Sequence, residues 1–495
     1  MLSAITFLPA LTAIVLLLLP RSDARAVRLV SLLGSLLTLA LALALCLSFD
    51  PSATSRWEER REWVPSLGVS YRLGVDGLSL FLVALTALLA PISIAASWKS
   101  VERRVLEFHL ALLLLETGMV GAFLALDLVL FYVFWELMLV PMALLIGIWG
   151  SRGGVAAAIK FILYTLAGSL LMLFAILALY VHTARVGTPT FDLDGIRRAL
   201  AEHPLDPGLQ MALFLAFGAA FAIKIPLVPL HTWLPDAHTE APTAGSVILA
   251  GVLLKMGAYG FLRFAIPLFP QAAVAATPWV TVISVVGIIF GACMCFVQED
   301  MKRLVAYSSV SHMGFVVLGI FSMNIRGVTG GIIQMVNHGL STGALFLLVG
   351  MLYERRHTRS LREFGGLASV TPQFATAFLI TTLSSIGLPA LNGFVGEFLI
   401  LQGAFERGIA LAAAAALGLV LGAAYMLVLC RRLLFGEVTA PENKSLTDLD
   451  AREVGILVPI LLLMVAIGLF SPWFTDRIAP TVASWLAGLP AAGGR

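Results

Sequence analysis

Long apolar stretches that contain no charged side chain dominate this sequence, and short charged clusters separate them. A helix that crosses the hydrocarbon core of a membrane needs about 20 apolar residues in succession. Hydrophobic residues make up 59% of the chain and charged residues only 12%, whereas a soluble domain carries about 25% charged residues. A water-soluble fold cannot hide so much apolar surface. We therefore expect an all-α integral membrane protein.

The apolar stretches predict about fourteen transmembrane helices in one membrane unit, joined by polar connections at 50–77 and 183–208 and followed by a short tail from 475. The predicted spans lie near 4–20, 27–49, 78–98, 107–125, 128–149, 155–181, 209–232, 243–265, 274–296, 304–322, 329–352, 370–403, 408–434 and 452–474. The first apolar stretch has no basic region before it and no cleavage site after it, so we interpret it as a span rather than a signal peptide.

The distribution of lysine and arginine predicts the orientation of the chain. The loops after the first, third, eleventh and thirteenth spans carry three or four basic residues each, whereas the short even-numbered loops carry one or none. Because basic residues accumulate on the cytoplasmic side of a membrane, the odd-numbered loops are expected to face the cytoplasm. Both termini would then lie on the periplasmic side.

Several functional classes are disfavoured by composition and spacing. The net charge of +3 gives no indication of a nucleic-acid partner. Cys293 and Cys295 are two residues apart, which is neither a metal-ligand nor a thioredoxin spacing, and we interpret all four cysteines as small apolar residues. There is no glycine-rich dinucleotide motif after a strand. We therefore predict no metal and no cofactor in this chain.

Among the charged residues inside the predicted spans, the main candidates for function are Glu136, Lys224, Lys255 and Glu397. Each charge at the centre of a membrane helix costs about 2.5–3.5 kcal/mol, so these side chains must face the protein interior and find partners there. We predict that they form a proton path. The alternative is a set of hydrogen bonds that only join helices. Glu116 is a further buried acid whose role stays open.

Two of these residues lie beside predicted helix breaks. Three prolines follow Lys224 within eleven residues, and each removes a backbone donor and clashes with the preceding turn. The stretch 370–403, which contains Glu397, is too long for one straight helix and is interrupted by glycines and a proline. Broken membrane helices are tolerated only where they are buried or line a cavity, and transporters use them as ion sites.

The two breaks predict an internal repeat. Lys224 and Glu397 are 173 residues apart, and the same shift carries Glu136 to within three residues of His312. Spans 4–8 and 9–13 would form the two repeats, each with one broken helix, and because five is odd the second repeat must be inverted. The predicted segments are 1–106 (three N-terminal spans), 107–265 (first repeat), 274–434 (second repeat) and 435–495 (last span and tail).

Three histidines are predicted to support the path. His231 follows Lys224 by seven residues, which would place it two helical turns further on roughly the same face. His312 and His338 each share a helix face with serine or glutamine side chains, as expected for hydrated surfaces. The alternatives are interhelical hydrogen bonds that serve packing alone, or a histidine pair that holds haem iron.

Four stretches of this sequence resemble the antiporter-like membrane subunits of bacterial NADH:quinone oxidoreductase, respiratory complex I. They are FYVFWELMLVPM, KIPLVPLHTWLPDAHTEAPTAGSVILAGVLLKMGAYG, YSSVSHMGF and LNGFVGEF. The resemblance covers nearly the whole chain. Two features separate it from other members: no long lateral helix follows span 14, and Glu397 stands where sister subunits usually carry lysine.

The resemblance implies a fourteen-helix fold in which Glu136 pairs with Lys224, Lys255 is the central relay and Glu397 opens the exit side. It also places the three histidines on the family's polar axis. It implies proton pumping coupled to electron transfer from NADH to quinone in partner subunits, with no redox cofactor in this chain. The expected partners are the flanking antiporter-like subunits, a peripheral redox arm and the lipid of the bacterial inner membrane.

Three alternatives to this function stay open. The first is a subunit of a cation/proton antiporter with the same fold and no redox partner. The second is a subunit of a membrane-bound hydrogenase complex. The third is a structural membrane scaffold, in which the buried charges would have no part in proton transfer.

Overall fold

The computed structural model describes residues 1–51, 57–438 and 440–489, and most of these residues are helical. The α-helices are α1 (Leu2–Leu17), α2 (Ala24–Ser48), α3 (Leu80–Ala96), α4 (Val105–Leu124), α5 (Leu128–Leu137), α6 (Leu139–Trp149), α7 (Gly154–Val186), α8 (Leu193–Glu202), α9 (Pro207–Lys224), α10 (Trp233–Glu240), α11 (Thr243–Ile248), α12 (Leu254–Gly260), α13 (Ile266–Leu268), α14 (Pro270–Phe296), α15 (Met301–Phe321), α16 (Ile325–Arg356), α17 (Leu367–Val370), α18 (Pro372–Ser385), α19 (Asn392–Arg407), α20 (Ile409–Leu434), α21 (Ala451–Leu469) and α22 (Ser471–Ala487).

Shorter elements complete the described chain. Strands β1 (Trp57–Val64) and β2 (Val69–Val75) pair as an antiparallel hairpin. Two π-helical segments, Leu249–Leu253 and Phe261–Ala265, lie on either side of α12. Three 3₁₀ segments are Pro65–Leu67, Leu361–Glu363 and Pro441–Ser445.

The prediction of an all-α membrane protein is confirmed. Among the described residues, eleven helices are long and apolar enough to cross a membrane, where contiguous helical segments count as one. Helices α1 and α3 are shorter and apolar, and α18 with α19 forms an interrupted pair. The number of fourteen crossings and the inverted repeat stay predictions.

The fold has an inner and an outer layer of helices. The most apolar windows of α15, α16 and the continuous stretch Thr243–Leu268 are wholly buried by protein, whereas the equivalent windows of α2, α20 and α21 are only 33% buried. The outer helices therefore present apolar side chains outward and enclose the inner ones. Lys255 lies in this inner layer, so its charge is separated from hydrocarbon by protein.

Both predicted helix breaks are present. Helix α9 ends at Lys224, the chain then runs through turns, and α10 begins at Trp233. Helix α18 ends at Ser385 and α19 begins at Asn392. The helical spacing that we expected between Lys224 and His231 is wrong, because the residues between them are not helical and the 3.6-residue period does not apply there.

Two further boundaries differ from the prediction. Helix α15 begins at Met301 rather than near 304. Asp300 caps this helix, because its side chain accepts hydrogen bonds from the backbone N–H groups of Lys302 and Arg303. Lys302 is therefore a buried helix residue and not a loop lysine. The span predicted at 452–474 ends at Leu469, and Pro472 opens the separate helix α22, whose Trp485 donates a 2.7 Å hydrogen bond to the Leu262 carbonyl.

Two aspartates near span ends accept backbone hydrogen bonds. Asp127 caps α5 by accepting from the backbone of Val129 and Leu130. Asp76 accepts from the Leu78 backbone at 3.0 Å, just before α3, and it also pairs with the buried Arg263 at 2.6 and 2.7 Å. The carboxylate of Asp76 therefore holds a buried ion pair as well as the backbone before α3.

A buried arginine ties the hairpin to the loop before α8. Arg72 on β2 contacts Asp192 at 2.8 and 3.0 Å, Asp194 at 2.7 Å and Glu58 at 3.0 Å. Burial by itself would lower the pKa of Arg72, but the hydrogen bonds to Asp194 and Asp192 outweigh it and raise the pKa above its ordinary value. The connections at 50–77 and 183–208 are thus joined outside the membrane by a charged cluster.

We predict that Arg72→Met lowers the thermal unfolding midpoint of the purified protein in detergent. Asp192 is 3% exposed, and removing one partner of a buried ion pair costs about 3–5 kcal/mol. Arg60→Met is the matched control, because Arg60 is 61% exposed and lies 3.9 Å from the same carboxylate; an exposed pair contributes about 0–1 kcal/mol. Equal shifts in the two variants would contradict the assigned role of Arg72.

Candidate functional site

The four predicted charged residues all lie in the interior, but on four different elements. Lys224 and Glu397 are each 2% exposed and Lys255 is 0% exposed, whereas Glu136 is half-buried. The structure joins Lys255 to Glu397 through two histidines. Glu136 and Lys224 lie near each other as a separate pair.

Lys255 is held at the centre of the inner layer. Its Nζ donates to the carbonyl of Ala250 and contacts His338 Nδ1 at 2.6 Å. Either an ammonium donates to the imidazole nitrogen, or an imidazolium N–H donates to a neutral amine. The two arrangements differ only in the position of one proton, so this contact is suited to proton transfer.

A series of neighbouring polar side chains extends from His338 to Glu397. The rings of His338 and His312 have centroids 5.6 Å apart, and His312 Nδ1 lies 3.2 Å from Glu397 Oε1. Gln334 donates to the same carboxylate oxygen at 3.2 Å. Within the part of the chain that the structure describes, His338 Nε2 has no hydrogen-bond partner. The series Lys255–His338–His312–Glu397 is hereafter the central axis.

Polar side chains surround the step between the two histidines. His312, His338, Asn337, Ser341 and Ser385 help to line a cavity of about 10 Å³. A cavity needs about 10–15 Å³ to hold one water molecule. The space between the two rings is therefore comparable with the size of a single water.

Glycines allow the helices to approach closely at Lys255. A Cβ atom on Gly339 of α16 would lie 2.7 Å from the Gly251 carbonyl oxygen and 2.5 Å from Leu85 Cδ2. A Cβ on Gly257 would lie 2.5 Å from the Phe221 carbonyl oxygen of α9. Gly257 and Gly339 therefore permit close helix packing around Lys255.

Lys224 and Glu136 form an open pair. Lys224 Nζ stands 5.2 Å from the centre of the Trp135 ring and 5.5 Å from that of Phe161, which are cation–π distances. Glu136 is near enough to act electrostatically on Lys224, but in the described ranges the two form no ion pair within 4.0 Å. Glu136 Oε1 is buried without a hydrogen-bond partner among the described residues. The aromatic rings, and not the carboxylate, contact the ammonium.

His231 lies apart from the other two histidines. Its ring contacts Phe290 at 5.1 Å and Tyr307 at 6.4 Å between centroids. It is 6% exposed, and its Nδ1 has no partner in the described chain. The structure therefore places His231 beside the first helix break and does not connect it directly to the central axis.

Two interior residues were missed by the sequence interpretation. His238 of α10 is 0% exposed, and its ring stacks on Phe346 with centroids 4.6 Å apart. Neither of its ring nitrogens has a partner among the described residues. Lys302, which donates to the Ala241 carbonyl, and Lys255 both act electrostatically on His238. His238 is thus close to two buried lysines. Its only sequence signal was its position shortly after the first break.

A large cavity reaches Lys302 from the surface. Its volume is about 610 Å³, and Lys302 and Ala241 are part of its wall. Its other ionisable lining residues are Lys99, Glu102, Glu240, Glu354, His357 and Arg359. We call this cavity the vestibule. Lys302, in the wall of the vestibule, acts electrostatically on His238.

Comparisons with known proteins identify chains of similar sequence and fold. A family model described as "NADH:quinone oxidoreductase/Mrp antiporter, TM" matches residues 125–422. NADH-quinone oxidoreductase subunit M of Rhodobacter capsulatus is 46% identical over 98% of this chain and 96% of its own length. A chain of respiratory complex I from Thermus thermophilus with bound NADH superposes with a TM-score of 0.90 at 35% identity, covering 99% of this chain and 100% of that one. A chain of the Mrp complex from Dietzia sp. DQ12-45-1b has a TM-score of 0.85 at 24% identity, covering 98% and 97%, and shows the fold alone.

We predict that Gly339→Ala lowers the thermal unfolding midpoint and lengthens the Lys255–His338 contact in an experimental structure of the variant. The new Cβ meets a backbone oxygen that cannot move aside freely, and such overpacking costs about 1–3 kcal/mol. Gly343→Ala, one turn further along α16, is the matched control, because its Cβ would meet neighbours only at 3.7 and 3.9 Å. If the two variants behave alike, close backbone approach is not what holds Lys255 against His338.

Proposed function

This chain belongs to the family of membrane subunits shared by NADH:quinone oxidoreductases and Mrp antiporters, and we propose that it is the proton-translocating subunit M of a bacterial NADH:quinone oxidoreductase. Its identity with the complex I relatives exceeds its identity with the Mrp chain, which supports complex I over the antiporter. Electron transfer from NADH to quinone would take place in partner subunits. This chain would carry protons.

The central axis is the observation that carries the proposal. A proton on Lys255 Nζ can pass to His338 Nδ1 over 2.6 Å. His338 would release a proton from its free Nε2 toward His312, and His312 Nδ1 would deliver one to Glu397 over 3.2 Å. The first and last steps join atoms that already lie within 3.2 Å of each other, whereas the step between the two histidines would cross the cavity of about 10 Å³ that both rings line. Glu397 would release the proton at the second helix break.

The open pair supplies a control element. When Glu136 approaches Lys224, the opposite charge stabilises the ammonium, and when the two move apart the proton is released more readily. The separation of the two groups in this structure is the arrangement that favours release. Redox events in partner subunits would act by changing this separation.

The vestibule supports a route of proton entry. Ionisable side chains line it as far as Lys302, and His238 lies near both Lys302 and Lys255. A proton from the vestibule would pass from Lys302 to His238 and then to Lys255. The unpartnered nitrogens of His238 fit this role, because each can accept or donate without first breaking another protein hydrogen bond.

The orientation and the partners follow from the same proposal. We place both termini on the periplasmic side, because the odd-numbered loops are basic. The vestibule then faces the cytoplasm. We assign the flanking antiporter-like subunits, the peripheral redox arm and lipid as partners. We assign no redox group to this chain, and the described residues contain no cluster of three or more His, Cys, Asp or Glu side chains placed to hold a metal ion.

The repeat remains part of this proposal. Each repeat would contribute one broken helix. In the first repeat, Lys224 is the last residue of α9, just before the break. In the second repeat, Glu397 lies near the start of α19, just after the break. Charged groups on broken helices in inverted halves are typical of transport pathways. The segments 107–265 and 274–434 would then form the two halves around Lys255.

We predict that Lys224→Ala abolishes or strongly reduces proton uptake per NADH oxidised in sealed inside-out vesicles that contain the assembled complex. The variant removes the ammonium that Glu136 would control. Lys444→Ala is the control, because this lysine is exposed in the 3₁₀ segment Pro441–Ser445, and its pumping ratio should match the parent. A Lys224→Ala complex that pumps with the full ratio would refute the proposed path.

We also predict that His238→Phe slows proton pumping by about a hundredfold, the size expected when a positioned proton-transfer group is removed. Phenylalanine keeps the stack on Phe346 but removes both nitrogens. His182→Phe is the control, since His182 lies near the surface, where its Nε2 bonds to the His203 carbonyl. Pumping and NADH oxidation are measured together in vesicles, and unchanged pumping in His238→Phe would exclude this route of entry.

A further inference from the structure

Outside the central axis, a second polar column lies between α2 and α4, which pack against each other. Its members are Arg28, Ser31 and Ser35 on α2 and His109 and Glu116 on α4; we call this column the α2–α4 seam. Glu116 is 0% exposed, and Ser35 Oγ donates to its Oε2 at 2.7 Å. Glu116 Oε1 has no hydrogen-bond partner, and no basic group lies within 4.0 Å of the carboxyl among the described residues.

Further unpartnered atoms line the same seam. His109 Nδ1 contacts the Val105 carbonyl at 2.7 Å, but its Nε2 has no partner in the described ranges. The same is true of Arg28 Nε. An unsatisfied buried polar group costs about 1–3 kcal/mol, and such groups are normally satisfied by ordered water. The unpartnered atoms of Arg28, His109 and Glu116 therefore indicate a hydrated seam.

The seam reaches from one end of the helices to the middle of the membrane. Ser35 and Glu116 each lie eleven residues after the first residue of their helix, which is about 16 Å at 1.5 Å per residue, or half of a hydrocarbon core of about 30 Å. At the open end, the partly exposed Arg28 donates to the Val101 carbonyl at 2.9 Å. Arg28 is also close enough to act electrostatically on His109.

Beyond Glu116 the seam closes. Thr38 is fully buried and its hydroxyl bonds back to the Gly34 carbonyl at 3.0 Å. Leu45 and Phe123, further along the two helices, are 0% exposed. The polar column is therefore open at one end only.

We propose that Glu116 is a second proton-binding site of this chain, filled along the α2–α4 seam from the Arg28 end. A carboxylate without a cation in an apolar interior is very costly, and a bound proton is the simplest way to neutralise it. Ser35 then donates to one oxygen, while the other oxygen is free to carry the proton and to exchange it through the seam. The Arg28 end of the seam would face the cytoplasm, and this orientation alone rests on the proposed function.

The first test uses a hydrophobic carbodiimide on the assembled complex in native membranes. The carboxyl proton moves to a carbodiimide nitrogen, the carboxyl oxygen adds to the central carbon, and the adduct rearranges to a stable acylurea without losing an atom. Glu453 is the matched control: it is 2% exposed, but it pairs with Arg355 at 2.6 and 2.8 Å. We expect mass spectrometry to find at least about tenfold more modification at Glu116, because only a protonated carboxyl reacts. Modification no greater than at Glu453 overturns the proposal.

The second test measures access along the seam. Ser31→Cys and Thr38→Cys, which lie before and after Ser35 on α2, are made in a variant without the native cysteines and treated with a cationic thiol reagent on the cytoplasmic side of inside-out vesicles. We expect Ser31→Cys to react at least about tenfold faster, since a cation avoids hydrocarbon. Equal rates, or no labelling of Ser31→Cys, overturn the filling route. Neither test involves Lys224 or the central axis, so failure here is distinguishable from failure of the proposed pumping function.

Discussion

Hydrocarbon offers no hydrogen-bond partner, so every ionisable side chain inside this protein must be satisfied by protein or by enclosed water. That constraint explains the two layers of the fold. The outer helices, such as α2 and α20, face outward with apolar side chains, while the wholly buried stretch Thr243–Leu268 carries Lys255 in the centre. The contact between Lys255 and His338 depends on this enclosure, because two basic groups at 2.6 Å can share a proton only where no bulk water competes.

The two ends of the path are organised differently. On one side, Glu397 accepts a hydrogen bond from Gln334, and the same carboxylate oxygen lies 3.2 Å from His312 Nδ1. On the other side, Lys224 faces aromatic rings and Glu136 keeps one oxygen without a partner. A small movement of helices therefore affects the two ends differently, because the free oxygen of Glu136 can gain a partner without first losing a hydrogen bond.

Much of this architecture could be predicted from the sequence, and the remainder has physical reasons for being hidden. Hydropathy predicted the eleven long apolar helices, and proline and glycine predicted both breaks. The Lys255–His338 contact joins residues 83 positions apart and depends on tertiary packing. Lys302 lies outside the predicted span 304–322 because hydropathy places charged residues at helix ends outside a span. The spacing to His231 failed because a helical period was applied across a segment that is not helical.

The two π-helical segments that enclose α12 also affect how this span must be interpreted. A π-bulge adds one residue to a helical turn, and at 3.6 residues per turn each added residue shifts the following side chains by about 100° around the helix. A single helical wheel drawn over Thr243–Leu268 therefore assigns the wrong face to residues beyond each segment. A regular wheel would place Lys255 and Arg263, eight residues apart, about 80° from each other; in the structure Lys255 contacts His338 and Arg263 contacts Asp76. Substitution data from this span should be mapped on the three-dimensional contacts and not on a regular helical projection.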